Sequence, residues 1–154
     1  MTRTDWHPEH IRRRLEAYPP YQGAGVRVPY VAADASEIRV EMALTETNAN
    51  LVGTHFGGSL YAMVDPHLMI LLKARLGPRY VVWDREAHID FRKPGEGIVW
   101  SSIRITDQEL ADIRAATSDG GRHLPEWTLE IRDEDDDVVA AVRKVLHVRL
   151  RRDA

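Results

Sequence analysis

The chain has 154 residues, a length that suits one domain and is short for two. Apolar residues make up 44% of it and charged residues 29%, which is the composition of a globular protein with a buried core. The net charge of −3 argues against a nucleic-acid-binding protein, and the absence of cysteine excludes disulfides, thiolate nucleophiles and cysteine-bound zinc. No apolar run resembles a signal peptide or a membrane span, so we expect a cytoplasmic protein that binds neither membrane nor nucleic acid.

The first 37 residues contain one helical pattern followed by several breaks. Residues 7–17 predict a short helix, with Asp5 as its cap and Pro8 in its first turn. Prolines and glycines then interrupt regular structure at positions 19, 20, 23, 25 and 29. We therefore expect residues 1–37 to form an arm that lies over a single domain comprising residues 38–154.

A strand and a long helix are predicted next. Residues 38–44 alternate apolar and polar side chains, which is typical of a half-buried strand. Residues 56–76 carry apolar side chains every three or four positions and end at Gly77, so they predict one helix. Pro66 removes a hydrogen bond from this helix. The helix therefore either kinks at Pro66 or begins there, with Asp65 as its cap.

Four strands are predicted after the helix, at residues 80–91, 98–106, 126–132 and 138–150. Their short connections favour antiparallel pairing, and an acidic first turn predicts a short helix at residues 107–116. One apolar helix and one sheet have to cover each other. The sequence thus predicts an α+β fold in which an antiparallel sheet of about five strands surrounds one long central helix. The free edges of such a sheet favour an oligomer.

Strict alternation in strand 80–91 would place acidic side chains on one face. It puts Val81, Trp83, Ala87, Ile89 and Phe91 on one side and Asp84, Glu86, His88 and Asp90 on the other. A metal site would need further ligands from elsewhere in the chain, so this face is more simply a solvated or contact surface. We therefore expect no metal and no cofactor.

The segment NANLVGTHFGGSLYAMVD, at residues 48–65, is the most informative for chemistry. Gly57 and Gly58 stand where a loop enters a helix, and free N–H groups of a first helical turn can bind an oxygen that gains negative charge. Asp65 lies roughly 10 Å further along the same helix, too far for a direct role within one chain. In a two-fold dimer, Asp65 of one copy can face the glycines of the other. The plainer alternative is a glycine-rich helix start with a capping or solvent-facing Asp65.

This segment resembles the hot-dog fold acyl-CoA thioesterases of the phenylacetate-degradation type. Their pattern of Asn, a short gap, His-Gly-Gly and then Asp on the central helix is matched by Asn50, by HFGG at residues 55–58 and by Asp65. The stretches HFGGSLYAMVDP, VVWDREAHIDFRKPGEG and LPEWTLEIRDEDDDVVAAVRKVLHVR are similar to an uncharacterised bacterial branch of that superfamily, known only as a domain of unknown function. The resemblance covers residues 38–150.

The resemblance implies catalytic roles for four residues. A main-chain N–H of Gly57 or Gly58 would polarise the thioester carbonyl group. Asp65 would act as a general base on water or as the nucleophile. Asn50 would position the water or the thioester.

Three further residues are implied on the substrate side, and two departures from the family pattern accompany them. His55 and Phe56 are candidate substrate-binding residues, and Asp84 stands where some members carry a hydroxyl group that orients water. The family's histidine aligns with Phe56, so that His55 is displaced by one residue. Pro66 directly follows Asp65 and disfavours ordinary helical geometry at that acid.

The sequence as a whole predicts an acyl-CoA thioesterase, a homodimer or dimer of dimers, that hydrolyses a small-molecule thioester at its subunit boundary. The two departures favour an alternative from another class, a non-catalytic acyl-ligand-binding or regulatory module of the same fold. Two basic pairs, Arg92-Lys93 and Arg143-Lys144, either contact the phosphates of CoA or merely balance the acidic residues.

Overall fold

Five helices and seven strands lie along residues 6–151, the part of the chain that this computed structural model describes. In chain order they are α1 (Pro8–Glu16), α2 (Pro19–Ala24), β1 (Val26–Val31), β2 (Glu37–Ala43), α3 (Gly57–Val64), α4 (His67–Leu76), β3 (Tyr80–Phe91), β4 (Ile98–Arg104), α5 (Asp107–Ala116), β5 (Arg122–His123), β6 (Glu126–Arg132) and β7 (Val138–Leu150). The predicted cap Asp5 lies outside the described residues. Within residues 6–151, no helix combines the length and the apolar character needed to cross a membrane.

All the strands belong to one antiparallel sheet, in the order β1-β2-β4-β6-β7-β3, with the short β5 paired to β7. The helices α3 and α4 pack against it, α3 on β2 and α4 on β3 and β4. Side chains of α4 such as Leu68, Leu71 and Leu72 have no exposed surface, so the core lies between this helix and the sheet. The α+β architecture is therefore as predicted, with two strands more than expected.

The range predicted as an arm contributes to the sheet and to the core. Its helix α1 is confirmed, and the side chains of Ile11 and Leu15 on that helix are buried. Two of the expected breakers, Pro19 and Pro20, instead begin α2, because proline is tolerated in the first turn of a helix. The missed strand β1 pairs with β2. The sheet thus begins before residue 38.

The predicted long helix is interrupted at Pro66. The first part, α3, ends at Val64, and Asp65 and Pro66 lie between it and α4. Pro66 has a ψ of −11°, away from the ψ of a regular helix, and it has no N–H with which to continue the helical hydrogen bonds. Of the two predicted alternatives, a helix that begins at Pro66 with Asp65 as its cap is wrong, because helix is present on both sides of Pro66 and the cap of α4 is Pro66 itself. The predicted kink is closer to the structure, in which the break separates two helices. Asp65 stands at the end of a helix rather than within one.

A β-bulge in β3 changes which of its side chains face the helices. Asp84 pairs with Leu146, but Glu86 pairs with the preceding Val145, so Arg85 is an extra residue. The inward side chains are Tyr80, Val82 and Asp84 before the bulge, and Ala87, Ile89 and Phe91 after it. The predicted strict alternation, which grouped Trp83 with Ala87 and Asp84 with Glu86, is wrong for this reason.

A buried polar pair connects α2 with the helices of the core. The hydroxyl oxygen of Tyr21 lies 2.7 Å from Nε2 of His67 and 3.0 Å from the main-chain oxygen of Met63. His67 has no exposed surface, and this burial lowers its pKa from 6.5 to about 4. Its imidazole is therefore neutral in the folded protein near pH 7.

Thr106 and Glu109 form a capping box at the start of α5. The Thr106 hydroxyl accepts the N–H of Glu109 at 3.2 Å, and the Glu109 carboxylate accepts the N–H of Thr106 at 2.6 Å. We expect Thr106→Ala to lower the free energy of unfolding by about 1 kcal/mol, because the N–H of Glu109 loses its acceptor. Urea denaturation would measure the loss. Thr106→Ser keeps the hydroxyl and is the matched control; equal losses in both variants would contradict the capping role.

Candidate functional site

The seven predicted site residues fall into two separate groups. The first group surrounds the start of α3 and comprises Asn50, His55, Phe56, Gly57 and Gly58. The second lies where α3 meets α4 and comprises Asp65 and Asp84, which are joined through a lysine that was not predicted as a site residue. Asp65 does not line the cavity at the glycines, as the separation of two helical turns along one chain leads one to expect.

Two main-chain amides are free at the start of α3. The N–H groups of Gly57 and Gly58 donate no hydrogen bond to any residue in the described range, and the cap residue Phe56 offers no side-chain acceptor. Such orphan donors, together with the helix dipole, attract an oxygen that carries negative charge. Gly57 also lines a cavity of about 460 Å³, whose other walls include Thr54, Leu60, Arg92 and Pro94. A carbonyl group in this cavity could therefore approach the amides.

Aromatic rings lie directly against both glycines. A Cβ atom at Gly57 would come within 2.8 Å of Cζ of Phe91, and a Cβ atom at Gly58 within 2.4 Å of Cε1 of Phe56. Both rings are about half exposed, at 53% for Phe91 and 54% for Phe56. These rings border the approach to the free amides, and a larger side chain at either glycine would displace them.

His55 and Asn50 line the same cavity, and their side chains form hydrogen bonds with main-chain groups of the protein. His55 is only 3% exposed, and its Nε2 donates to the main-chain oxygen of Gly97 at 3.1 Å. Burial lowers the pKa of this histidine. The side-chain oxygen of Asn50 accepts the N–H groups of Val52 and Thr54, at 3.0 and 3.1 Å. Asn50 therefore shapes the loop that precedes α3.

Asp65 belongs to a cluster around Lys144. The side chain of Lys144 is completely buried, and its Nζ donates to Oδ1 of Asp65 and to Oδ1 of Asp84, each at 2.9 Å. It also donates to the main-chain oxygen of Asp65. The hydroxyl of Tyr61 donates to the same Oδ1 of Asp65 at 2.7 Å. Oδ1 of Asp65 thus accepts two hydrogen bonds, whereas Oδ2 accepts none from the residues that the structure describes.

The residues of this cluster differ in how exposed their side chains are, and the pKa values of Asp84 and Tyr61 are raised. The side chain of Asp65 is 42% exposed and that of Asp84 is 30% exposed, so both carboxylates reach the surface while Lys144 does not. Burial raises the pKa of Asp84, and the neighbouring Lys144 opposes that rise. Burial and the Asp65 carboxylate raise the pKa of Tyr61. The tyrosine therefore keeps its proton near pH 7 and remains a donor to Asp65.

Lys144 belongs to the candidate site but was not predicted as one of its residues. It was predicted, as part of the pair Arg143-Lys144, to contact CoA phosphates or to balance charge, but it lies in the interior against Asp65. The pattern that places Leu146 and Val148 inside also places residue 144 on that inward face. A lysine at an inward position needs a partner of opposite charge, and this signal was available in the sequence. Lys93, from the other predicted basic pair, forms ion pairs with Asp133 and Asp137 at the β6–β7 turn.

One protein family matches most of the chain. The model of a family described as a domain of unknown function, DUF4442, matches residues 11–148. No curated protein matches the chain.

Solved structures match nearly the full length. PA5026 of Pseudomonas aeruginosa, a protein of unknown function described as a probable thioesterase, is 20% identical with a TM-score of 0.81, over 93% of this chain and 95% of that one. The thioesterase HI1161 of Haemophilus influenzae is 16% identical with a TM-score of 0.68, over 93% and 90%. The PaaI protein of the E. coli phenylacetic acid degradation operon is 18% identical with a TM-score of 0.64, over 96% and 99%. These likenesses show the hot-dog fold and confirm the resemblance predicted from the sequence.

Proposed function

This chain belongs to the DUF4442 family of unknown function, and from the geometry of its site we propose that it hydrolyses an acyl-CoA thioester. One observation carries the proposal: a single helical segment offers free amides at Gly57 and Gly58 and, at its other end, an anchored Asp65 with one free carboxylate oxygen. The fold, shared with proteins described as thioesterases, supports the same reaction.

The reaction uses these groups at different atoms of the substrate. The thioester carbonyl oxygen binds to the amides of Gly57 and Gly58, which stabilise the negative charge that develops on it. Oδ2 of Asp65 takes a proton from a water molecule, whose oxygen attacks the carbonyl carbon. The carbon–sulfur bond then breaks, and the proton passes to the leaving thiolate. The products are a carboxylic acid and the free thiol of CoA.

A second copy of the chain brings the two groups together. Within one chain they lie at opposite ends of α3, about two helical turns apart. Strand β3 is at the edge of the sheet, and Trp83 and Phe91 on it are 46% and 53% exposed. Antiparallel pairing of two β3 strands would continue the sheet across a two-fold axis. The proposed site then combines Asp65 of one copy with the glycines of the other, in a homodimer or a dimer of dimers.

A screen of short, long and aromatic acyl-CoAs tests the proposal on the unmodified protein. Release of thiol can be followed with a thiol-reactive chromophore, and because the chain has no cysteine, all the signal comes from the product. We expect turnover of at least one substrate class, and sedimentation as a dimer or tetramer. No thiol release from any class would contradict the proposed hydrolysis.

The second candidate is the non-catalytic module that binds an acyl ligand. It is favoured by His55, which is buried against Gly97, and by Phe56, which stands where the family has its histidine. Saturable binding of acyl-CoA without any release of thiol would support this second candidate over the first.

A further inference from the structure

A completely buried lysine is unusual, and Lys144 is one. Its neighbours on the inward face of β7, Val142 and Leu146, are apolar and have no exposed surface. A buried ammonium group is tolerated only where hydrogen bonds and opposite charge compensate its lost hydration. An apolar side chain would fill this position without that cost. The charge at position 144 is therefore explained by what it contacts and not by the packing of the core.

Lys144 contacts Asp65 at two points. Its ammonium group binds both the main-chain oxygen and Oδ1 of this residue. The main-chain oxygen stands at the C-terminal end of α3, where helical carbonyl groups lack intrahelical partners and a cation is favoured by the helix dipole. One ammonium group thus fixes the backbone and the carboxylate of Asp65 together, at the point where Pro66 interrupts the helix.

The ammonium group is itself held from two other sides. Oδ1 of Asp84, on the inward face just before the β3 bulge, lies 2.9 Å from Nζ. The ring of Tyr61 is centred 5.6 Å from Nζ, and its hydroxyl group binds the same Oδ1 of Asp65. Contacts from β3 and α3 thereby define the position of the ammonium group. Oδ1 of Asp65 is fixed by two donors, and Oδ2 is the oxygen left for a substrate water.

We propose that Lys144 is a positioning residue for Asp65, and that it holds this carboxylate at the helix break so that Oδ2 faces the reacting water. The catalytic part of this proposal rests on the proposed hydrolysis, whereas the contacts by which Lys144 holds Asp65 in place do not depend on it. Lys144 has no exposed surface with which to touch a substrate. Its loss should therefore affect the turnover rate constant and leave substrate binding nearly unchanged.

The variant Lys144→Met tests the proposal against Arg143→Met. Arg143 is the adjacent cation on the same strand, but it is exposed on the opposite face and paired with Glu126. We expect Lys144→Met to lower kcat by about 10- to 100-fold, with KM within about threefold of wild type, because small displacements of a catalytic group are costly. We expect Arg143→Met to have wild-type kcat. An unchanged kcat in Lys144→Met, or an effect confined to KM, would overturn the proposal.

A structural readout separates this proposal from the hydrolysis itself. In a crystal structure of Lys144→Met, we expect Oδ1 of Asp65 to leave its position 2.7 Å from the Tyr61 hydroxyl. If Asp65 stays in place, the positioning role is wrong, whatever the enzyme activity. If Asp65 moves but the wild-type protein hydrolyses no thioester, the proposed function fails and the positioning role stands. Lys144→Gln retains a donor without the charge and carries the same tests if Lys144→Met does not fold.

Discussion

Asp65→Asn is expected to reduce thioester hydrolysis at least about 100-fold, because an amide cannot accept the proton of the attacking water. The substitution should leave the fold intact. Asparagine has nearly the shape of aspartate, and its Oδ1 can still accept the hydrogen bonds from Tyr61 and Lys144. Thiol release from the best substrate of the wild-type protein measures the loss, and circular dichroism with thermal unfolding checks the fold.

Asp90→Asn is the matched control for this result. Asp90 is an exposed carboxylate on the same edge strand as Asp84, and it is paired with Arg92 at 2.9 Å. We expect its substitution to leave hydrolysis unchanged. Wild-type turnover in Asp65→Asn would contradict the proposed mechanism, because that mechanism uses Asp65 as the base that takes the proton of the attacking water.

Mixing two inactive variants tests whether the site lies between subunits. Gly57→Val would push the Phe91 ring and block the amides at the start of α3, since even a Cβ atom there lies 2.8 Å from Cζ of that ring. A mixed dimer of Asp65→Asn and Gly57→Val chains regains one intact site, with the wild-type acid from one chain and the wild-type glycine from the other. Random exchange should restore about a quarter of wild-type activity, because half of the dimers are mixed. No recovery after proven exchange would contradict a site shared between the two subunits.

Stability is expected to fall as the pH is lowered from 6.5 towards 4, and the buried His67 contributes to this fall. The unfolded chain binds a proton on this histidine below its ordinary pKa of 6.5, whereas the folded protein does so only near pH 4. The unfolded state therefore binds more protons within this interval, and unfolding becomes easier as the pH falls. Above pH 6.5 the stabilisation is complete. The full difference corresponds to roughly 3 kcal/mol for a fully buried group.

The substitution His67→Gln isolates this contribution, with His88→Gln as the matched control. Glutamine does not titrate, and its side chain can still hydrogen-bond to Tyr21 and to Met63. We expect the unfolding free energy of His67→Gln, measured by urea denaturation at several pH values, to depend much less on pH between 6.5 and 4.5. Burial also lowers the pKa of His55 and of His147, so a smaller dependence should remain. His88 is exposed, and a wild-type pH profile is expected for its variant. A wild-type profile for His67→Gln would contradict the assignment.

Much of the fold could be predicted because local patterns and global packing agree. The spacing of apolar residues in 56–76 predicted the helical segment, and the chemistry of Pro66 indicated that the helix would either kink or begin at that residue. Alternation predicted β2, β4, β6 and β7 within a residue or two. The strand β1 was missed because Pro29 and nearby glycines are typical of turns, and only its pairing with β2 allows the strand.

The candidate site was harder to predict, because its geometry depends on contacts between distant segments. The glycines and Asp65 could be found from a local motif in the sequence. The cluster around Lys144 could not, since it requires the pairing of β3 with β7 and the extra residue Arg85 that turns Asp84 inward. Some bulges can be recognised in a sequence by a glycine at the extra residue, but here that residue is Arg85. The inward position of Lys144 was the one signal that alternation did offer.

The bulge in β3 has a consequence for assembly. Along this free edge strand, even-numbered side chains face inward before Arg85 and odd-numbered side chains face inward after it. A second strand whose side chains match the faces of β3 before Arg85 does not match them after Arg85. In the proposed dimer, this mismatch would restrict the register in which the second copy can pair. The same mismatch discourages stacking of further strands into fibres. An irregularity of one residue thus places the carboxylate of Asp84 on the inward face and, in the proposed dimer, would restrict how a second β3 strand can pair with this edge.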